Sequence, residues 1–229
     1  MGVSADRIMK DPSIEAGDHM NPYLFLDVDG VLNAFDLDLS GEADMFDDFE
    51  VHEVELTLED DFPRTFIVCL SLAMCARIAQ LVVDIHWATT WEHRADSHIA
   101  PLCGLPRGRP ALTPGDGAEE WNLDWKFTEV RRTVERDPRP FVWIDDHLDL
   151  FGDWQLTPRL WATDLAVPSL LIAPDPATGL RPTQLDAVEQ FVRLHGGERG
   201  SKENATHDEG ASTATSECSQ PGAEFLGNH

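Results

Sequence analysis

Three short apolar segments, each ending at polar residues, constrain the fold of this 229-residue chain more than any other feature. The segments cover residues 23–28, 82–88 and 141–144, and the polar pairs at their ends are Asp27 and Asp29, Thr89 and Thr90, and Asp145 and Asp146. Short apolar runs of this kind are typical of strands buried on both faces of a parallel sheet. Helical patterns separate them, so we predict an α/β fold, a three-layer sandwich with helices on both faces of a central parallel sheet.

The first segment continues as YLFLDVDGVLN over residues 23–33 and carries two carboxylates one residue apart. A buried carboxylate without a partner is costly, so Asp27 and Asp29 are expected where the strand leaves the core. Residues i and i+2 of a strand point the same way, and Gly30 allows the backbone to turn sharply behind them. Two like charges this close need a cation or a proton. The alternative is an Asx-type turn after an ordinary strand.

The three polar pairs are expected to converge, because the carboxyl ends of parallel strands lie along one edge of a sheet. Lys126 opens the helix before the third segment, and a buried lysine can pair with a carboxylate and a ligand anion together. Three carboxylates around a hard cation match Mg²⁺. A carboxylate can attack phosphorus to form an aspartyl-phosphate, a second can move protons, and Thr and Lys can hold the phosphoryl oxygens.

Periodicity and capping residues predict the remaining elements. They are a β-hairpin or flap from Phe49–Leu58 and Thr65–Leu70, helices at 71–81, 91–102, 121–135 and 183–195, and a strand at 169–173. We predict one domain over residues 22–195, with the flap at about 36–70 and no full cap domain. Residues 1–21 are expected to form a loose leader, and residues 196–229 a disordered acidic tail.

Acidic residues outnumber basic ones by 42 to 17, which gives a formal net charge of -25. This balance argues against nonspecific binding of a nucleic-acid backbone and against docking on anionic membranes. Residues 36–61 contain no Lys or Arg and are expected to form a solvated acidic loop, with a cation-attracting rim as the alternative. The absence of a signal peptide, a membrane-length apolar run and paired cysteine spacing predicts a soluble, cytoplasmic protein.

Several single residues carry their own expectations. Four are expected to pack in the core: Trp87, Trp143, Cys69 and Cys75. Trp91, beside the threonine pair, is the candidate for a substrate contact, and His147, directly after the acidic pair, is a candidate for the rim of the site.

Four motifs, in order and at their expected positions in the secondary structure, resemble those of the haloacid dehalogenase (HAD) superfamily. They are Asp27-Val-Asp-Gly-Val, the apolar strand ending at Thr89, Lys126, and Trp143-Ile-Asp145-Asp146. The resemblance implies a HAD-like Rossmannoid fold over residues 22–195. The stretch Trp87-Ala-Thr-Thr-Trp-Glu-His, followed by Leu105-Pro106, also resembles small bacterial HAD proteins that are similar to the HAD modules of RNA-repair proteins.

The resemblance implies different roles for the two acids of the first motif. Asp27 would be the nucleophile and a Mg²⁺ ligand. Asp29 would be the general acid and base, with its backbone carbonyl also reaching the metal. HAD dehalogenases lack an acid at the position of Asp29, so the resemblance favours a phosphatase or a phosphotransferase over cleavage of a carbon–halogen bond.

The same resemblance implies roles for the other motif residues. Thr89 would bind the phosphoryl group, with Thr90 as the alternative because the strand end is uncertain by one residue. Lys126 would neutralise the nucleophile and the phosphate. Asp145 would complete the metal site, with Asp146 supporting it or exchanging roles with it.

The resemblance therefore implies a Mg²⁺-dependent phosphatase that hydrolyses a phosphomonoester through an aspartyl-phosphate. The expected substrate is a phosphorylated small molecule or nucleotide, reached through an uncapped site. A phosphatase of nucleic-acid 3′ or 5′ ends is an alternative that the acidity disfavours. A phosphotransferase and a catalytically silent HAD-scaffold interaction protein are further alternatives. The sequence leaves the substrate and the oligomeric state open.

Overall fold

The structure is a computed structural model that describes residues 20–35, 49–57, 62–115, 123–153 and 156–196. Among these residues the strands are β1 (Tyr23–Leu26), β2 (Phe49–Thr57), β3 (Pro63–Ser71), β4 (Asp84–Trp87), β5 (Phe141–Ile144) and β6 (Ser169–Ile172). The α-helices are α1 (Leu72–Gln80), α2 (Ala100–Leu102), α3 (Asp124–Arg136), α4 (Pro158–Thr163) and α5 (Pro182–His195). Nearly all of the predicted leader and of the predicted tail, and most of the acidic loop, lie outside the described residues, so those expectations stay predictions.

The central sheet has the strand order β4-β1-β5-β6, and all of its neighbours are parallel. Leu26 of β1 lies level with Trp87 of β4 and with Ile144 of β5. The backbone ladder continues one residue further, since Asp27 N donates to Ile144 O (3.1 Å) and Asp145 N donates to Ile172 O (3.1 Å). Because the strands are in register, Asp27 and Asp145 leave the sheet side by side at its carboxyl edge. The predicted parallel sheet is confirmed.

Alternation along the strands divides the core into two halves, one on each face of the sheet. Leu24 and Leu26 belong to the half that includes residues of α1 and α5, whereas Tyr23 and Phe25 belong to the half that includes residues of α3 and α4. Trp87 and Trp143 are fully buried, as predicted. Helices on both faces of the sheet confirm the predicted α/β architecture.

The second sheet is the antiparallel pair β2 and β3, which confirms the predicted hairpin. Asn33 bridges it to the end of β1, since Asn33 Oδ1 accepts a hydrogen bond from Cys69 N at 2.8 Å. Ser71 caps α1 by accepting from Met74 N (3.2 Å), as predicted. The hairpin therefore stands beside the carboxyl edge of the central sheet.

Three local features differ from the sequence-based expectations. The helix predicted at 91–102 contains a π-helical segment, Ala95–Ile99, before the short α2. Within the loop expected after residue 101, the chain around Ala111 pairs with Trp87 and extends the edge of the sheet. Helix α4 was not expected, although Thr157 caps it and Pro158 occupies its first turn, a pattern typical of helix starts.

Within the described residues, no helix is both long and apolar enough to cross a membrane.

His86 on β4 gives the fold a defined response to acid. Burial, reinforced by the charge of Arg139, lowers the pKa of His86 to about 4 from its usual 6.5. Its ring packs edge-on against Tyr23 (4.9 Å) and Phe25 (5.7 Å). Between pH 6.5 and pH 4 His86 is protonated in the unfolded chain and neutral in the folded chain. The free energy of unfolding therefore decreases as the pH falls through this range.

When the pH is lowered from 7 to 5, we expect the free energy of unfolding to decrease by about 1–2 kcal/mol less in His86→Phe than in the wild type. Phe keeps the ring packing and cannot take up a proton. Urea unfolding at both pH values measures the difference. Equal losses in the two proteins would show that His86 is not buried in its neutral form.

Candidate active site

Asp27, Lys126 and Asp145 form a buried ion triad at the carboxyl edge of the sheet. Lys126 Nζ lies 2.5 Å from Asp27 Oδ2 and 3.0 Å from Asp145 Oδ2, and all three side chains are at most 4 % exposed. Asp27 follows β1 in the alternation of Tyr23 and Phe25, so it points to the α3 face of the sheet. Lys126 lies in the first turn of α3, and its stem is buried with the rest of that face. The sequence-predicted residues Asp27, Lys126 and Asp145 are therefore in direct contact.

The triad holds more negative than positive charge. Burial disfavours the charged form of Lys126, but the Asp27 and Asp145 carboxylates outweigh it and raise the pKa of the ammonium. Burial and the nearby charge of Asp27 raise the pKa of Asp145. Burial also raises the pKa of Asp146, which lies beside the triad, although His147 opposes the shift. Raised carboxyl pKa values mean that the site gains stability from a further cation or a proton.

Asp146 and His147 complete a group of possible metal ligands with Asp27 and Asp145. One ligand atom from each of the four lies within 4.8 Å of the others. Asp145 Oδ1 accepts from His147 N (2.9 Å), and His147 Nδ1 lies 2.9 Å from Asp146 Oδ1. Carboxylate oxygens are the donors that hard divalent cations prefer, so the three carboxylates of this group fit Mg²⁺.

Gly30 permits the close approach of Asp146 to the turn after β1. Its φ is +72°, and a Cβ at this position would lie 2.5 Å from Asp146 Cγ. No other residue type fits both the left-handed backbone and the contact. The predicted sharp turn behind the two acids is present, and it brings the Asp146 carboxyl group against the backbone of the first motif.

The side chain of Asp29 lies apart from the possible metal ligands. Asp29 Oδ1 accepts from Asn33 Nδ2 (2.8 Å), and Oδ2 accepts from Trp91 Nε1 (2.8 Å). Two neutral donors therefore orient a carboxylate that has no cationic partner among the described residues. This arrangement separates Asp29 from Asp27, although the two acids are only two residues apart.

Thr89 and Thr90 differ in their surroundings. Thr89 is fully buried after β4, and its Oγ1 accepts from Trp91 N at 3.3 Å. Thr90 is exposed. Only Thr89 lies in the buried layer that continues the strand ends, so it is the better candidate of the two to face a ligand at this edge.

Three residues in or beside the site were missed or only partly expected from the sequence. Trp91 and Asn33 orient Asp29, but both contacts depend on tertiary structure or on turn geometry that spacing does not reveal. Cys69, expected in the core, is half-buried and lines an open cavity instead. That cavity has a volume of about 440 Å³ and lies next to Asp29 and Trp91.

Residues 23–185 match the family model described as the HAD domain in Swiss Army Knife RNA repair proteins. The chain belongs to this family. Comparison with curated proteins and with solved structures gives no match. Membership confirms the HAD resemblance and supports a hydrolase of the HAD type. The acidic group around Asp145 in this HAD domain could hold a metal ion.

Proposed function

We propose that the chain is a Mg²⁺-dependent phosphatase that hydrolyses a phosphomonoester through an aspartyl-phosphate on Asp27. The observation that carries this proposal is the buried triad, in which one ammonium bridges Asp27 and Asp145 beside two further possible metal ligands. An ordinary structural ion pair needs no second buried carboxylate, and burying one is costly. In a site that binds a phosphoryl group and a metal ion, by contrast, one carboxylate can act as the nucleophile and the second can help to hold the metal ion.

Asp27 is the proposed nucleophile. One of its carboxylate oxygens attacks phosphorus, the bond from phosphorus to the leaving oxygen breaks, and Asp29, which enters this step as the protonated acid, gives that oxygen its proton. Asp27 Oδ1 accepts from Val28 N (2.7 Å) and Oδ2 accepts from Lys126, so both oxygens are oriented before the substrate arrives. Each oxygen keeps a second lone pair for the attack.

Asp29 is proposed to act again in the second half of the reaction. It takes a proton from a water molecule, the water oxygen attacks phosphorus, and the bond to Asp27 breaks to release inorganic phosphate. The hydrogen bonds from Trp91 and Asn33 hold the Asp29 carboxyl group for both proton transfers. Asp29 is separate from the ammonium of Lys126, which suits a group that must both give and accept a proton.

The remaining residues of the site would bind the phosphoryl group and the metal ion. Lys126 and the Thr89 hydroxyl are proposed to hold the oxygens of the transferring phosphoryl group. Asp27, Asp145 and Asp146, with His147 nearby, would hold Mg²⁺, whose charge offsets that of the phosphate. The backbone carbonyl of Asp29 remains a proposed further ligand.

A phosphatase of nucleic-acid ends is a second candidate function. The family description, which refers to RNA repair proteins, favours it. The net charge of -25 opposes it, because a nucleic-acid backbone binds mainly through Lys and Arg.

A panel of phosphomonoesters tests the proposed function. We expect Mg²⁺-dependent release of inorganic phosphate from at least one member, and loss of that release to near background when a chelator removes the metal. Mononucleotides, sugar phosphates and oligonucleotides with a 3′ or a 5′ phosphate form the panel, so the same assay separates the two candidate functions. Release that is unaffected by the chelator would contradict the metal requirement.

A further inference from the structure

The cavity beside Asp29, here named the Asp29 groove, is lined mainly by apolar side chains. Its principal lining residues are Asp29, Phe35, Val51, Phe66, Ile67 and Trp91. The volume of about 440 Å³ lies within the range of about 300–1,000 Å³ that is usual for small-molecule sites. The groove contains the general acid of the proposed reaction, yet the reaction as described above makes no use of the groove.

Several of the apolar side chains that line the groove are largely exposed to solvent. Phe35 is 61 % exposed, and Val51 and Ile67 are each 58 % exposed. Single exposed apolar residues are common, but three around one concavity mark a binding surface. The lining residues that the structure describes include no Lys, Arg or His. The groove is therefore suited to an uncharged occupant.

Two aromatic rings form the wall of the groove next to Asp29. The rings of Phe66 and Trp91 lie 5.4 Å apart between centroids at an angle of 60°, and the Trp91 indole nitrogen is hydrogen-bonded to Asp29 Oδ2. That hydrogen bond fixes the indole against the acid. A planar group that stacks on the half-buried Phe66 ring, beside the buried Trp91 indole, would have its point of attachment close to the Asp29 carboxyl group.

The hairpin adds a constraint on charge. Val51 shares its face of β2 with Glu53 and Glu55, since alternate residues of a strand point the same way, and Glu53 lies opposite Ile67 in the register. Both glutamates are exposed. A second phosphate on a leaving group that extends past Val51 would approach this acidic face, and the described residues that line the groove include no Lys, Arg or His to compensate its charge.

We propose that the Asp29 groove binds the leaving group of the substrate and selects an uncharged group that carries a planar aromatic ring, as in a nucleoside monophosphate. This inference rests on the proposed function, because the leaving oxygen receives its proton from Asp29 and its substituent must then lie on the Asp29 side. It goes further by naming the substrate class and by setting a mononucleotide apart from a nucleic-acid end.

Adenosine 5′-monophosphate and ribose 5-phosphate give a matched comparison, because they share the same leaving alcohol and differ in the base. We expect kcat/KM to be at least about tenfold higher for adenosine 5′-monophosphate, since stacking on aromatic side chains favours the base. Phe66→Ala should bring the ratio of the two kcat/KM values close to one. Phe62→Ala, which removes an exposed aromatic ring of the same hairpin outside the groove lining, should leave the ratio unchanged.

Binding without turnover separates the two proposals. With a chelator present, calorimetry should give tighter binding of adenosine 5′-monophosphate than of ribose 5-phosphate, whether or not either compound is hydrolysed. Equal affinities, or equal kcat/KM values, would overturn the groove inference while Mg²⁺-dependent hydrolysis still supported the phosphatase. Preference for adenosine 5′-monophosphate in binding, with no hydrolysis of any phosphomonoester, would support the groove and contradict the proposed function.

Two other occupants of the groove are outcomes of the same experiments. A short RNA with a 5′ phosphate that is hydrolysed with a higher kcat/KM than adenosine 5′-monophosphate would overturn the inference in favour of a nucleic-acid end. A dimer that sedimentation detects in the wild type and not in Ile67→Ser, together with no preference between the two small substrates, would assign the groove to a second copy of the chain.

Discussion

Asp27→Asn is expected to reduce phosphomonoester hydrolysis by about 10³-fold or more while the protein stays folded. The amide keeps the shape of the side chain and a hydrogen-bond acceptor, but it is a poor nucleophile and has no carboxylate oxygen with which to form the acyl phosphate. Release of inorganic phosphate from the best substrate of the panel, at saturating Mg²⁺, measures the change.

The charges of the triad explain why this substitution is not expected to unfold the protein. Wild-type Lys126 lies between two carboxylates, and Asp27→Asn leaves it paired with Asp145 at 3.0 Å. A buried pair of one cation and one anion is not left with an uncompensated charge. We therefore expect the large loss of activity to occur without a comparable loss of stability.

Asp149→Asn is the matched control for that experiment. Asp149 is 62 % exposed and pairs with Arg159 on the surface, so the same chemical change there removes one weak ion pair. Wild-type and Asp149→Asn proteins should hydrolyse the substrate at similar rates. A rate for Asp27→Asn that matches the wild type would contradict the role of Asp27 as nucleophile.

The features of the fold that were predicted from the sequence depend on residues that are close together in the chain. The apolar runs before Asp27 and Asp145 predict strands because they are short and bounded by polar residues. The strand pairing could then be inferred from the α/β alternation, and it brings the two acids to one edge. The contact of Lys126 with Asp27 was expected from the order of the motifs, whereas its second contact, with Asp145, was revealed only by the structure.

The features that were missed depend on residues far apart in the chain. Trp91 reaches Asp29 across 62 positions, and Asn33 reaches Cys69 across 36. No periodicity links such pairs, because their approach is decided by how the hairpin packs beside the sheet. Trp91 was expected to touch substrate, and the structure adds that it holds the acid of the first motif. The partners of Asp29 therefore had to come from the tertiary structure.

Lys126→Met is expected to lower the free energy of unfolding by about 3–5 kcal/mol at pH 7 when no divalent cation is present. Met fills a similar volume but leaves the buried carboxylates of Asp27 and Asp145 without the ammonium. Arg131→Met on the same helix is the control, because Arg131 pairs with Glu135 at a half-exposed site and should contribute about 1 kcal/mol or less. Urea unfolding of the three proteins measures both changes.

The pH dependence of the free energy of unfolding of Lys126→Met shows whether lost charge or lost packing causes the decrease in stability. The pKa of Asp145 is already raised by burial, and removal of Lys126 raises it further, because the ammonium opposes that shift. Below its folded pKa the folded chain binds a proton that the unfolded chain releases, so the penalty grows as the pH rises and shrinks as it falls. Because the pKa of Asp145 is raised to about 8 in the wild type, Asp145 ionises above that pH in the wild type and stays protonated in the variant, so we expect the gap in unfolding free energy to widen from pH 7 to pH 9.

Mg²⁺ should restore part of the stability that Lys126→Met loses. A cation held by Asp27, Asp145 and Asp146 supplies the positive charge that the variant lacks, and a ligand that binds only the folded state stabilises it in proportion to the logarithm of its concentration. The increase in Tm on adding Mg²⁺ should therefore be larger for the variant than for Arg131→Met. A loss that is the same at pH 7 and pH 9, and insensitive to Mg²⁺, would mean that Lys126 contributes packing and not charge to this site.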